Sequence, residues 1–180
     1  MGLGTAWPYM KKDLQQMFDD QTDQLRLPVL TRYQQAVEEG RAYRCRLYFT
    51  LSSGSTATFA IVAGSKTAHV SMLISTTDQA EVSFLFNPSV SGGTEAEVYP
   101  LNHASTIPNT LRVIKDPTVS GGQDEGTEVI PGGSKKYAVG ATYDGLVGEW
   151  LNPGEILVIT LKNTSGNSNS ISVRLTWWEE

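Results

Sequence analysis

The sequence is poor in the side chains that perform chemistry. Its 180 residues include one cysteine and two histidines. A lone Cys45 excludes an intramolecular disulfide framework and a multi-cysteine zinc site. It stands in the apolar-aromatic run from Tyr43 to Phe49, which predicts a buried, inert thiol. His69 falls on the polar phase of a strand pattern, and His103 falls in an Asn-His-Ala-Ser turn. Neither has the sequence neighbours of a metal or catalytic site. There is no Gly-x-Ser-x-Gly elbow, no Gly-x-x-x-x-Gly-Lys phosphate loop and no His-Glu-x-x-His. Asp116, Asp124, Glu125 and Glu128 gather around a glycine-rich stretch but lack the spacing of a calcium loop, so a solvated acidic loop is expected. Nothing marks two of the 19 acids as a glycosidase pair. The expectation is a non-enzyme without cofactor or metal.

A basic excess is also missing. Lys and Arg total 14 against 19 Asp and Glu, for a net charge of −5. In residues 1–44, Lys11, Lys12, Arg26, Arg32, Arg41 and Arg44 balance Asp13, Asp19, Asp20, Asp23, Glu38 and Glu39. That segment is neutral, and the negative excess lies beyond it. Nucleic-acid binding needs a basic stripe to displace counterions, so no nucleic-acid partner is expected. No apolar run approaches the ~20 residues that span a bilayer. The start, Met1-Gly-Leu-Gly-Thr-Ala-Trp-Pro, is too short and polar for a signal peptide, and Ala6 stands where myristoylation needs Ser or Thr. A soluble protein made in the cytoplasm, without a membrane partner, is expected.

What is present divides near Gly40. Before it the periodicity is helical. Met10, Leu14, Met17, Phe18 and Leu25 form one apolar stripe, with Asp and Gln opposite. Pro28 ends or kinks that helix. A second helical pattern carries Leu30, Tyr33 and Val37, and Gly40 is its natural stop. A lone helix of about 15 residues is marginal in water, so the stripe needs a partner: its own domain or another subunit.

After Gly40 the period is two. Leu47, Phe49 and Leu51 alternate with polar residues, as do Val70, Met72 and Ile74, then Val82, Phe84 and Phe86, then Ile171, Val173, Leu175 and Trp177. Phe59 and Ile61 mark a strand in residues 56–63, and residues 95–101 and 111–115 read as two more. Residues 156–161 are apolar almost throughout, as in a strand buried on both faces. Residues 116–148 read as long loops around one or two short strands. Ser52-Ser-Gly-Ser, Asn87-Pro-Ser-Val-Ser-Gly-Gly, Asp116-Pro-Thr-Val-Ser-Gly-Gly and Asn163-Thr-Ser-Gly-Asn-Ser-Asn supply the turns. This predicts an all-β, antiparallel, jelly-roll-like sandwich over residues 41–180 behind a short helical arm over residues 1–40. Adjacent Trp177 and Trp178 must face opposite sides of the last strand. Trp150, Trp177 and Trp178, with Tyr137 and Tyr143, are core or interface residues or a sugar-stacking platform. Asn163-Thr-Ser matches a glycosylation sequon.

The order of several elements resembles the head decoration, or cement, proteins of tailed bacteriophages. These are Gly40-Arg-Ala-Tyr, Phe86-Asn-Pro-Ser with Ser91-Gly-Gly-Thr, Asp116-Pro-Thr-Val-Ser-Gly-Gly with Gly126-Thr, Leu151-Asn-Pro-Gly-Glu, Leu161-Lys-Asn-Thr-Ser-Gly, and the ending from Ile171 to Glu180. The resemblance implies a jelly-roll-like sandwich, usually trimeric, seated on the virion surface between subunits of the major capsid protein. It brings no catalytic residues. The helical arm departs from the shorter members, and a head-fibre base or a tail component stays open beside the head decoration role. On this reading Met10, Leu14, Met17, Phe18 and Leu25 are the candidate assembly contacts. The alternative is a carbohydrate- or receptor-binding sandwich of a head or tail fibre.

Overall fold

A computed structural model describes residues 32–131 and 141–180. One helix, α1 (residues 32–38), precedes the strands. It stops where Gly40 takes φ 75° and the Arg41 N–H reaches back to the Ala36 carbonyl at 2.7 Å. In chain order follow β1 (Ala42–Leu51), β2 (Thr56–Val62), β3 (Ala68–Thr76), β4 (Ala80–Phe86), β5 (Ser89–Ser91), β6 (Thr94–Glu95) and β7 (Val98–Pro100). After these come β8 (Arg112–Lys115), β9 (Thr118–Ser120), β10 (Gln123–Ile130), β11 (Ala141–Leu151), β12 (Ile156–Asn163) and β13 (Asn169–Glu179).

Two antiparallel sheets make a sandwich. Sheet A runs β11-β3-β13-β1-β7, and sheet B runs β10-β4-β12-β2-β8-β6. Setting aside the short edge strands, the orders β11-β3-β13-β1 and β10-β4-β12-β2 are the paired Greek keys of a jelly roll. The period-two pattern is the cause. Tyr43, Cys45 and Leu47 of β1, Val70, Met72 and Ile74 of β3, and Ile171, Val173, Leu175 and Trp177 of β13 face Phe59, Ile61, Val82, Phe84, Ile159 and Leu161 of sheet B in one core. Trp177 is core and Trp178 lies on the outer side, as alternation requires. Cys45 is fully buried, and burial pushes its thiol up to about 11.

Three sequence expectations need correction. Residues 116–148 are not mainly loop, because they hold β9, β10 and most of β11. β10 is an edge strand with seven of its eight residues exposed, so one face has no reason to be apolar. β11 pairs with β3 through register shifts at Tyr143/Leu146 and Val147/Glu149, which break the alternation. Residues 95–101 are not one strand either. The chain leaves sheet B after Glu95 and joins sheet A at Val98, so β6 and β7 extend opposite layers. Tyr33, expected on the apolar side of α1, is exposed, while Ala36 is the buried residue.

The outer face of sheet B is covered. β12 is buried on both sides, as its apolar run predicts, because Val158 joins Ala60 and Ile114 in a second cluster with Leu85, Val90, Val119 and Ile156. Val90 and Val119 come from a two-stranded ribbon of β5 and β9, in which they are directly paired. The two ribbon strands are copies of one heptapeptide. Asn87-Pro-Ser-Val-Ser-Gly-Gly lies antiparallel to Asp116-Pro-Thr-Val-Ser-Gly-Gly, and Asn87 (φ 49°) and Asp116 (φ 52°) are the only non-glycine residues with positive φ among those described. The second glycine of each copy meets the proline end of the other. A Cβ on Gly93 would lie 2.6 Å from the Lys115 carbonyl and 3.2 Å from Pro117. A Cβ on Gly122 would lie 2.9 Å from both Leu85 and Pro88. Gly92 and Gly121 also have positive φ but open space around them. Gly92→Ala and Gly121→Ala should therefore cost about 1–2 kcal/mol, the left-handed penalty alone. Gly93→Ala and Gly122→Ala should each cost clearly more in urea unfolding. Equal costs at all four positions would contradict the interlocked packing.

Candidate interaction surface

Sheet A presents a different outer face. β3, β13 and β11 bring His69, Trp178 and Trp150 into one transverse row, since His69 pairs with both tryptophans across the ladder. The His69 ring stacks on Trp178 at 3.6 Å and 6°, and meets Trp150 edge-on at 4.2 Å and 70°. His69 is only 7% exposed, whereas Trp150 is 56% exposed. The sequence placed His69 correctly on the outer phase but gave no sign that two tryptophans enclose it. Trp178 is partly buried with its ring stacked on His69, whereas Trp150 is exposed. Tyr137 and the side chain of Tyr143 fall outside the described residues.

The same corner holds charges that tie α1 and the start of β1 to the end of β13. Glu179 is fully buried, and its Oε1 accepts the backbone N–H groups of Thr110 (2.7 Å) and Leu111 (2.9 Å). Lys66 Nζ lies 4.0 Å from its other oxygen. The Arg41 guanidinium donates to the Glu179 carbonyl. Arg32 of α1 pairs with Glu180 at 4.0 Å, and Glu180 lies 3.5 Å from His69 Nε2. The start of α1 therefore lies beside His69 and the tryptophans. The candidate contacts Met10, Leu14, Met17, Phe18 and Leu25 lie outside the described residues.

At the opposite end of the strands, two fully buried asparagines fasten the loops. The Asn169 carboxamide accepts from the Thr77 N–H and hydroxyl and the Asp78 N–H, and donates to the Asp78 and Gln79 carbonyls. Asn163 donates to the Leu51 and Asn167 carbonyls and accepts from Ser165. The sequon amide is thus buried and engaged, which closes Asn163 to glycosylation in the folded chain.

Among the described residues no group of three His, Cys, Asp or Glu side chains is placed to hold a metal ion. No helix among them is long and apolar enough to cross a membrane. His103 is exposed in its turn. Asp124 accepts from the Gly126 N–H at 2.8 Å and sits on β10, a strand and not the loop expected for this acidic stretch. The surface can bind by contact area, and Trp150 is the exposed tryptophan among the described residues of this face.

Burial holds the His69 imidazole below its ordinary value, and the Glu180 carboxylate opposes this. Folding thus favours the neutral ring. The stability this contributes is full above the unfolded value of 6.5 and is lost as pH falls through 6.5 towards the lower folded value. Replacing His69 by Phe keeps an aromatic layer without the titration. The wild-type melting temperature should drop more steeply than that of His69→Phe between pH 7 and 5. Parallel curves would contradict this account of the stack.

No family model matches the chain, and no curated protein matches it in sequence. Among solved structures, it is similar to the VP2 subviral particle of infectious bursal disease virus, with 12% identity, a TM-score of 0.21, and coverage of 77% of this chain and 41% of that one. The Gt strain of the same virus gives 12% identity and a TM-score of 0.21, covering 77% of this chain and 40% of that one. The chain spans less than half the length of these viral chains. At that TM-score the likeness carries no argument, and the jelly-roll assignment rests on the strand order itself.

Proposed function

We propose that this chain is a structural virion protein of a tailed bacteriophage, one that stabilises the capsid by binding between major capsid subunits as a trimer. The observation that carries the reading is Trp150. It projects from β11, the outer strand of sheet A, with 56% of its surface free and its ring held by His69. A rigid, exposed aromatic is the usual anchor of a protein interface, because it fills a pocket at little entropic cost. The motif order that resembles head decoration proteins supports the same reading. So does the neutral, amphipathic sequence pattern of residues 1–40. Stable contacts of this kind bury about 1,200–2,000 Å². Many copies then resist internal pressure through multivalency.

Deleting residues 1–39 should abolish or sharply reduce occupancy on particles, and Trp150→Ala should weaken it at least tenfold with little change in melting temperature. Unchanged occupancy of both variants would overturn the reading. Light scattering of the full chain should give a trimer, and a monomer at micromolar concentration would count against that part.

A further inference from the structure

A second feature of the sheet A outer face lies four residues along β13 from Trp178, about 13 Å away. Arg46 of β1 and Arg174 of β13 are directly paired across the ladder, and both are exposed. Like charges in register destabilise a sheet. Neither arginine has an acidic partner among the described residues. The chain nevertheless has more acids than bases, so the pairing is not a product of general basicity.

The register orders what surrounds them. Arg46, Arg174 and Leu73 form one transverse row across β1, β13 and β3. Tyr48, Ser172 and Ser75 form the next row on the same face. The rows are two residues apart, about 7 Å, on the scale of one sugar ring. The two rows line a cleft of about 440 Å³. A second cleft of about 350 Å³ continues from it past Thr77 and Ser170, and shares Tyr48, Ser75 and Ser172. Volumes near 300–1,000 Å³ are usual for small-ligand sites.

The chemistry of the groove changes along its length. At one end two guanidiniums offer only donors, fitted to a carboxylate. In the middle the Tyr48 ring is 68% exposed. The Ser75 and Ser172 side chains make no hydrogen bond among the described residues. The far end is uncharged and carries hydroxyls. The backbones of β13 and β3 are paired on both sides, so an extended peptide finds no open ladder over most of the groove.

We propose that this groove binds an acidic oligosaccharide. The carboxylate of its charged residue lies between Arg46 and Arg174, and an adjoining neutral sugar stacks on Tyr48 within reach of Ser75 and Ser172. The site is separate from the Trp150 anchor and does not depend on the clamp reading.

Calorimetric titration of the full chain tests it with a sialylated trisaccharide, a glucuronate-containing disaccharide, lactose and hexaglutamate. At least one acidic sugar should bind at least tenfold more tightly than lactose and hexaglutamate. Arg46→Ala, Arg174→Ala and Tyr48→Ala should each weaken that binding at least tenfold, and Trp150→Ala should leave it unchanged. Without sugar, Arg46→Ala and Arg174→Ala should melt at or above the wild-type temperature, because each relieves the like-charge pair. That shows the loss is not misfolding. Lactose binding as tightly overturns the acidic subsite, and hexaglutamate binding as tightly makes the face a protein-docking surface. Failure of both acidic sugars at millimolar concentration, or indifference to the arginine variants, also overturns the proposal.

Discussion

Strand β13 lies between β1 and β3 from Ile171 to Trp178, and the rest of the structure depends on that placement. Its partners in the ladder run from Ala42 to Leu51 on one side and from Ala68 to Thr76 on the other. The core face of sheet A is therefore incomplete until the last residues of the chain arrive. Ile171, Val173, Leu175 and Trp177 then fill the centre of the sandwich, and buried Glu179 captures the Thr110 and Leu111 amides of the long excursion between β4 and β10. Arg32 and Arg41 come to the corner that holds Glu179 and Glu180 as a result. Contacts this distant in sequence carry a large loop-closure cost before they return any stability, so slow, concerted folding is expected.

The two sheets are finished differently, and the difference bears on function. Sheet B covers its own outer face with the ribbon of the two heptapeptide copies, so Val158 and Ala60 are hidden. Sheet A carries on its outer face exposed Trp150 and Tyr48 and an arginine pair with no acidic partner among the described residues. The open edge of sheet B is guarded. β10 carries a register shift at Asp124/Gly126, and an exposed charge, Glu128, stands opposite core-facing Val82. Bulges and edge charges discourage strand-to-strand association. On the proposed reading, contacts with other molecules fall on the sheet A face and not on β10.

Most of the sandwich was legible because half-buried strands announce themselves by alternation. β1, β3, β4 and β13 show it, and β12 shows the unbroken apolar run of a strand covered on both sides. β10 and β11 were not legible. An edge strand exposed on both faces has no apolar phase, and the two register shifts of β11 scramble its pattern. The sheet switch between Glu95 and Val98 leaves no period to detect. The surface was less legible than the core. His69 read as an ordinary polar-phase residue, because its enclosure depends on cross-strand pairing with Trp150 and Trp178. The Arg46–Arg174 pair is likewise a product of register, invisible at a separation of 128 positions. The near-identical heptapeptides beginning at Asn87 and Asp116 are the one signal in the sequence that points to a paired ribbon.

The central claim is that the chain works by seating a rigid sandwich on a protein shell. Electron cryomicroscopy of particles purified from the source of this chain tests it most directly. The account predicts jelly-roll density at the junctions of major capsid subunits, with Trp150 and residues 1–40 on the shell side. Particles whose heads lack this density, with the chain recovered in the soluble fraction or on fibres alone, would contradict it.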